Sequence, residues 1–317
     1  MMTRLTATLF TTSLLFSTAC AQEVKTESAT TQAETTAANA VAAVPAEDKA
    51  SVFAGANEAD WRDIDPENTL QITTDYGTFV VEMVPEFAPL HVEQIKTLAR
   101  QKFYDDITFH RVIDGFMNQT GDPRGDGTGS SSLPDIKAEF TFRRAPEMAI
   151  ALVGQEMSRA GEVGTGFYKS FPVATKPASQ AILTKDGKVD AWGLHCSGTT
   201  SMARGGHDVN SANSQFFLMR SEYPSLNQQY TIWGMTVWGN EGLTKIKVGT
   251  RGEVEGFVPD KMITVRVSAD LPKAERIPVQ VLKTDSRSFD KYLNTLKLEN
   301  GTYPKVCDIK VPTRLKP

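Results

Sequence analysis

The stretch Phe103–Gly129, FYDDITFHRVIDGFMNQTGDPRGDGTG, decides the fold of this chain. Ile107–Phe109 is short and apolar, which predicts a buried strand. Asp114–Gly115 is a turn signal, and a glycine-rich loop runs from Gly121 to Gly129. We therefore expect a β-hairpin followed by a glycine-rich loop.

The predicted hairpin brings a fixed cation together with apolar side chains and an amide. The cation is Arg111, the apolar residues are Phe116 and Met117, and the amide is Gln119. An arginine beside an apolar pocket serves either a ligand site or a structural ion pair. Composition alone leaves both alternatives open.

Three blocks of the sequence carry a family resemblance. They are FHRVIDGFMNQTGDPRGDGTG (Phe109–Gly129), SMARGGHDVNSANSQFF (Ser201–Phe217) and LNQQYTIWG (Leu226–Gly234). In this order they resemble the cyclophilins, the cyclosporin-type peptidyl-prolyl isomerases. The resemblance covers roughly Asn68–Val267, apart from an insertion.

The resemblance implies a mainly β fold, a closed eight-stranded antiparallel barrel capped by two helices. Periodicity supplies elements that suit this fold. A hairpin, two helices and a last strand are predicted at Leu70–Thr74 with Thr78–Val84, Pro89–Arg100, Asn240–Val248 and Met262–Val267.

The resemblance also implies an activity, the rotation of Xaa-Pro bonds in proline-containing polypeptides without any cofactor. Arg111 corresponds to the family's catalytic arginine. The substrate-binding positions are Phe116, Met117, Phe217 and Leu226 in the proline pocket, Gln119 and Gln215 beside the arginine, Ala203 and Arg204 for the residues before proline, and Tyr230. A module or chaperone that binds proline segments with little turnover is the alternative.

The chain departs from the family pattern at the pocket. Tyr230 stands where eukaryotic members often have histidine, and Trp233 replaces a usual phenylalanine. Ser225 replaces the tryptophan that contacts cyclosporin. We therefore expect isomerase activity together with weak cyclosporin binding.

The residue patterns exclude several other classes of site. The four histidines, His91, His110, His195 and His207, lack metal-ligand spacing. The loop Gly121–Gly129 lacks the lysine and hydroxyl residue of a phosphate loop. A net charge of −4 gives no reason to expect a nucleic-acid partner.

The amino terminus predicts export to the periplasm. Residues 1–21 have the apolar core and the small residues around the cleavage site that are typical of a secretory signal. Cys20 offers lipidation as an alternative, and an N-terminal lipid is the only membrane contact expected. Residues 22–56, rich in Ala, Thr and Glu, predict a flexible tether.

The remaining chain divides into an isomerase domain, residues 57–270, and a C-terminal extension, residues 271–317. The domain contains an insertion at about residues 143–195, in which we predict an extra hairpin. The hairpin strands are predicted at Gln180–Thr184 and Lys188–Trp192, and strands of the extension at Val279–Leu282 and Val306–Val311. Cys196 and Cys307 either pair or remain two separate buried thiols; the sequence slightly favours separate thiols.

Overall fold

Antiparallel strands dominate the computed structural model, which describes residues 56–158 and 161–317. The signal segment, Cys20 and the tether up to residue 55 lie outside the described residues. The strands are β1 (Trp61–Asp63), β2 (Thr69–Thr74), β3 (Gly77–Met83), β4 (Arg111–Ile113), β5 (Met117–Thr120), β6 (Phe142–Arg144), β7 (Ala151–Ser158), β8 (Gly161–Tyr168), β9 (Phe171–Thr175), β10 (Val189–Gly193), β11 (Thr199–Met202), β12 (Phe216–Met219), β13 (Ile232–Trp238), β14 (Gly249–Thr250), β15 (Thr264–Val267), β16 (Val279–Leu282) and β17 (Thr313–Leu315). The α-helices are α1 (Pro89–Arg100), α2 (Asn240–Leu243) and α3 (Arg287–Thr295). The 3₁₀ segments are Glu58–Asp60, Pro66–Asn68, Ala178–Leu183, Pro224–Leu226, Ser268–Asp270, Lys273–Glu275 and Val306–Asp308.

The largest sheet curls into a barrel. Its order is β14-β4-β5-β12-β11-β13-β3-β2-β15, with the two-residue β14 as a ninth strand. Backbone hydrogen bonds join its two ends: Phe109 N donates to Asp260 O at 2.8 Å, and Met262 N donates to Ile107 O at 2.9 Å. The mainly β, antiparallel barrel fold is thereby confirmed.

Ile107–Phe109 does not form the predicted strand. It makes a single bridge, between Thr108 and Lys261, and the regular strand begins only at Arg111. The segment lies where the barrel closes, and its backbone hydrogen bonds across this closure are with Asp260 and Met262. This contact is too short to form a regular strand pair. Its apolar residues are buried as predicted.

The barrel core follows from the alternation of side chains along its strands. On β2 the side chains of Leu70 and Ile72 are fully buried, and Phe79 and Val81 on β3 face them from the paired strand. Helix α1 covers one end with an apolar stripe that includes Val92, Ile95 and Leu98. The predicted hairpin and first helix are confirmed, whereas α2 ends at Leu243 and is shorter than predicted.

The insertion builds a second sheet of five strands, in the order β6-β10-β9-β8-β7. Its Phe142 and Phe171 pack against Phe87 in the barrel core. The predicted hairpin is wrong, because Gln180–Thr184 lies mostly in a 3₁₀ segment. Strand β10 already pairs with β9 on one edge and β6 on the other, so no edge remains for that segment.

The C-terminal extension pairs with the first strand of the domain. Strand β16, predicted at its exact bounds, pairs with β1 and β17 in a three-stranded sheet. The predicted strand Val306–Val311 is wrong: Ile309 N donates to Val306 O at 3.2 Å, a 3₁₀ pattern. None of the helices in the described residues is long and apolar enough to cross a membrane.

A disulfide joins Cys196 to Cys307, where the sequence slightly favoured separate thiols. The two Cα atoms lie 5.0 Å apart. The bond lies in an apolar cluster that the insertion and the extension share, which includes Phe167 and Phe289. This packing brings together residues that are distant in sequence, and no local pattern records it.

Candidate active site

The site residues lie in rows across the outer face of the barrel. Arg111 on β4 is directly opposite Gln119 on β5, which is opposite Phe217 on β12. Directly opposed residues share one face of a sheet, so their side chains project together. A second row two residues away on the same face contains Met117 and Met219. Strand register therefore assembles the cation, the amide and the apolar side chains.

A chain of amide hydrogen bonds holds Arg111. Its Nη1 donates to Gln119 Oε1 at 3.2 Å, and Gln119 Nε2 donates to Gln215 Oε1 at 3.0 Å. Gln215 Nε2 in turn donates to the carbonyls of Gly127 and Gly129 at 3.1 and 2.8 Å. No carboxylate in residues 56–158 and 161–317 forms an ion pair with Arg111. The guanidinium is therefore oriented by neutral amide and carbonyl groups.

The conformation of the glycine-rich loop that accepts these hydrogen bonds is fixed by Asp122. The Asp122 carboxylate accepts from the backbone N–H groups of Arg124, Asp126 and Gly127 at 2.8, 3.0 and 2.5 Å. Gly121 has a φ of +85°, and a Cβ there would collide with the Ser214 carbonyl. Glycine is required at this turn for both reasons.

An apolar pocket lies beside the arginine. Met117, Phe217 and Met219 are buried at its base, and the half-buried members of the same cluster are Ile113, Phe116, Ala203, Leu226 and Tyr230. The rings of Phe217 and Tyr230 meet edge to face at 5.8 Å between centroids. The structure thus places every sequence-predicted pocket residue in one cluster.

Arg204 and Ala203 lie on one side of the pocket. Ala203 N donates to Gln215 O at 2.9 Å, which fixes this backbone next to the amide chain. The Arg204 guanidinium lies over the Tyr230 ring, 4.6 Å from its centroid, and Nε donates to Gln229 O at 3.1 Å. Its side chain is thus part of the pocket wall.

Tyr223, which the sequence blocks did not include, packs on Phe116 of the β4–β5 hairpin, whereas Ala203 and Arg204 follow β11, on the other side of β12 in the sheet. Its ring lies 4.5 Å from the ring of Phe116 between centroids. Tyr223 O accepts from Leu226 N at 3.1 Å, so the same short segment presents both residues. An aromatic residue three positions before a pocket leucine was the available signal.

His195 supports the pocket from behind and was also missed as a site residue. Its ring stacks on Phe217 at 6.2 Å, and Nδ1 lies 3.0 Å from Asn227 Oδ1. Since Asn227 Oδ1 only accepts, Nδ1 carries the proton, and Nε2 accepts from Ser201 Oγ at 2.9 Å. Burial lowers the pKa of His195 to about 4, which keeps this imidazole neutral. Burial also lowers the pKa of His110, the neighbour of Arg111.

The family model for cyclophilin type peptidyl-prolyl cis-trans isomerases matches residues 69–267. The chain belongs to the cyclophilins. As a member of this family it is a peptidyl-prolyl cis-trans isomerase. The matched range includes every pocket residue named above.

Similar proteins support this assignment of the chain as a cyclophilin. A probable peptidyl-prolyl cis-trans isomerase of Brucella suis is 35% identical over 219 residues, which are 65% of this cyclophilin and 85% of the relative. Cyclophilin AquaCyp293 from Hirschia baltica has a TM-score of 0.73 and 32% identity, covering 84% of this chain and 97% of that one. Because 84% of the chain exceeds residues 69–267, the structural similarity extends beyond the family domain.

Proposed function

We propose that Arg111 accelerates Xaa-Pro rotation by donating a hydrogen bond to the proline nitrogen of the twisted amide. Rotation must break amide resonance, against a barrier of about 18–20 kcal/mol. In the twisted state the nitrogen regains its lone pair, which the planar amide does not offer. A donor aimed at this nitrogen binds the transition state better than the ground state.

The geometry around Arg111 is the observation that carries this proposal. The Gln119 amide accepts from Nη1 at 3.2 Å and leaves the other guanidinium N–H groups for substrate. The buried thioether and ring of Met117 and Phe217 exclude water from one side of the pocket, which strengthens charge-assisted hydrogen bonds. An acceleration of roughly 10⁵ requires about 7 kcal/mol, which one oriented cation and the bonds to the carbonyl together can supply.

The test compares Arg111→Ala and Arg111→Lys with the mature protein, by NMR exchange on a short Xaa-Pro peptide in chelator. Arg111→Ala should lose most of the rate with an unchanged circular dichroism spectrum. Arg111→Lys should also be slow, because an ammonium lacks the planar fork of donors. Arg287→Ala removes an exposed arginine of α3 and serves as the matched control. Near-normal turnover of Arg111→Ala would refute the mechanism, and a wild-type rate equal to the spontaneous one would favour the binding-module alternative.

We propose further that this isomerase acts on exported proteins in the periplasm, after removal of residues 1–21. The Cys196–Cys307 disulfide supports the proposal, because such bonds persist in oxidising compartments. Cell fractionation decides the compartment. Labelling with a radioactive fatty acid, with Cys20→Ala as control, distinguishes a lipid-anchored from a free form.

A further inference from the structure

A groove of about 400 Å³ lies next to the proline pocket, between the insertion and the C-terminal extension. One wall is the run Val153–Glu156 of strand β7, and the other is the run Tyr303–Val306. Glu222 and Pro224 of the cyclophilin core also line it. The groove is thus built from the two parts of the chain that lie outside the cyclophilin core, and meets the core at residues 222–224.

The groove follows the free edge of β7. Side chains alternate between the two faces of a strand, so four consecutive lining residues place the backbone itself along the groove. Strand β7 is the terminal strand of its sheet and pairs with β8 alone in the described chain. Gly154 has no side chain, and its directly opposed partner on β8, the buried Thr165, contributes to the lining beneath it. An open strand edge beside a groove is the arrangement to which extended peptides add as a further strand.

The charges in the groove are unpaired and predominantly negative. Glu156, Glu222 and Lys305 are exposed, and none of them forms an ion pair within residues 56–158 and 161–317. Two carboxylates against one ammonium favour a segment that carries lysine or arginine. Exposed charge pairs contribute modestly to binding energy, so we expect a preference rather than an absolute requirement.

The groove and the pocket are connected by the segment 223–226. Pro224, which lines the groove, lies between Tyr223, which packs on Phe116, and Leu226, a pocket residue. Ala203 and Arg204, on the other side, are the positions expected to contact residues before proline. A substrate running across the pocket therefore leaves it past Tyr223.

We propose that this groove binds the polypeptide segment that follows the substrate proline, extended along the edge of β7 and preferring cationic side chains. The inference rests on the proposed substrate site at Arg111. The disulfide anchors Cys307 to Cys196, at the end of the insertion. Because Lys305 and Val306 directly precede Cys307, this bond fixes the wall of the groove that they form. The insertion and the extension thereby act together as a second binding surface for the substrate.

The experiment measures kcat/KM on two peptides that share one Xaa-Pro core. One ends directly after the core; the other continues for about six residues, or about 20 Å when extended, with two lysines. We expect the long peptide to be turned over with a kcat/KM about tenfold higher, equivalent to about 1.4 kcal/mol. In the charge-reversal variant Glu156→Lys with Glu222→Lys, the ratio of long to short should fall towards unity. For a long peptide with glutamates in place of lysines, the ratio of long to short should be lower than for the lysine peptide in the wild-type protein and should rise in the double variant.

Glu147→Lys makes one such glutamate-to-lysine reversal, half the charge change of the double variant, at an exposed position of the insertion outside the groove, and should keep the wild-type ratio. If wild-type protein turns over both peptides equally, or the double variant keeps the wild-type ratio, the groove proposal is wrong while the isomerase mechanism stands. If neither peptide is accelerated, the failure lies in the proposed function itself. A preference for the glutamate peptide in the wild-type protein would overturn the assigned charge preference.

Discussion

Reduction of the Cys196–Cys307 disulfide should substantially destabilise the protein. The bond joins two cysteines that are separated by 111 positions in the sequence. In the loop-entropy account, a closed loop of this length restricts the unfolded chain by about 4–5 kcal/mol. Removal of native disulfides typically costs about 2–5 kcal/mol, so we expect the free energy of unfolding to fall by about 3–5 kcal/mol. For a domain of this size that corresponds to a melting temperature lower by about 10 °C.

Urea unfolding of oxidised and reduced wild-type protein measures this effect without changing any side-chain volume. A Cys307→Ala variant is the control, because its stability should be the same with and without reductant. Mass spectrometry establishes that the bond is present in the oxidised sample. A difference below about 1 kcal/mol between the two wild-type samples would contradict the reasoning, since it would mean that the closed loop does not restrict the unfolded chain.

Three further predictions concern the pocket. Gln119→Leu removes the acceptor for Arg111 Nη1. A hydrogen bond to a charged group contributes about 1.5–3 kcal/mol, so we expect kcat to fall by about 10- to 100-fold with little change in KM. An unchanged kcat would exclude a positioning role for Gln119. Because burial lowers the pKa of His195 to about 4, the unfolded chain binds a proton at this imidazole between about pH 6.5 and 4 that the folded chain does not. The stability it contributes is full above about pH 6.5 and falls as the pH drops towards 4, so between about pH 7.5 and 5 wild-type protein should lose about 2 kcal/mol more than His195→Asn in urea unfolding; equal losses would contradict the depressed pKa. Cyclosporin should inhibit weakly, and Ser225→Trp should strengthen inhibition by about 10²-fold, because an indole adds apolar area and a donor; no gain would refute the assigned register of this strand.

Local periodicity was sufficient for the elements that stand alone in sequence. Helix α1 begins and ends where the pattern predicts, since Pro89 suits a first helical turn and the apolar spacing is regular. The pattern failed where pairing is decided by partners far away. Gln180–Thr184 has strand-like residues, but both edges of β10 are occupied by β6 and β9, and Ile182 and Leu183 remain largely exposed.

The site shows the same division between local and distant information. Arg111 and Gln119 belong to one hairpin, and the same sequence motif contains both residues. The motif is therefore sufficient to predict that they lie opposite each other. Tyr223 and His195 lie outside the three sequence blocks, and their roles depend on packing against Phe116 and Phe217. The position of Tyr223 three residues before Leu226 was a weak local signal, whereas nothing in the sequence around His195 indicates its contact with Phe217.

The pairing of β2 with β15 has a consequence for how the chain folds. Leu70 is directly opposite Val267, and Trp61 on β1 is opposite Leu282. The first strands of the chain therefore cannot form these pairs until strands near its C-terminal end are present. A fold dominated by such non-local contacts has a high contact order and folds slowly, because the entropy of closing long loops opposes every early step. During synthesis the barrel cannot close until β15 has left the ribosome. An enzyme that accelerates Xaa-Pro isomerisation thus has a fold that is itself completed late in synthesis.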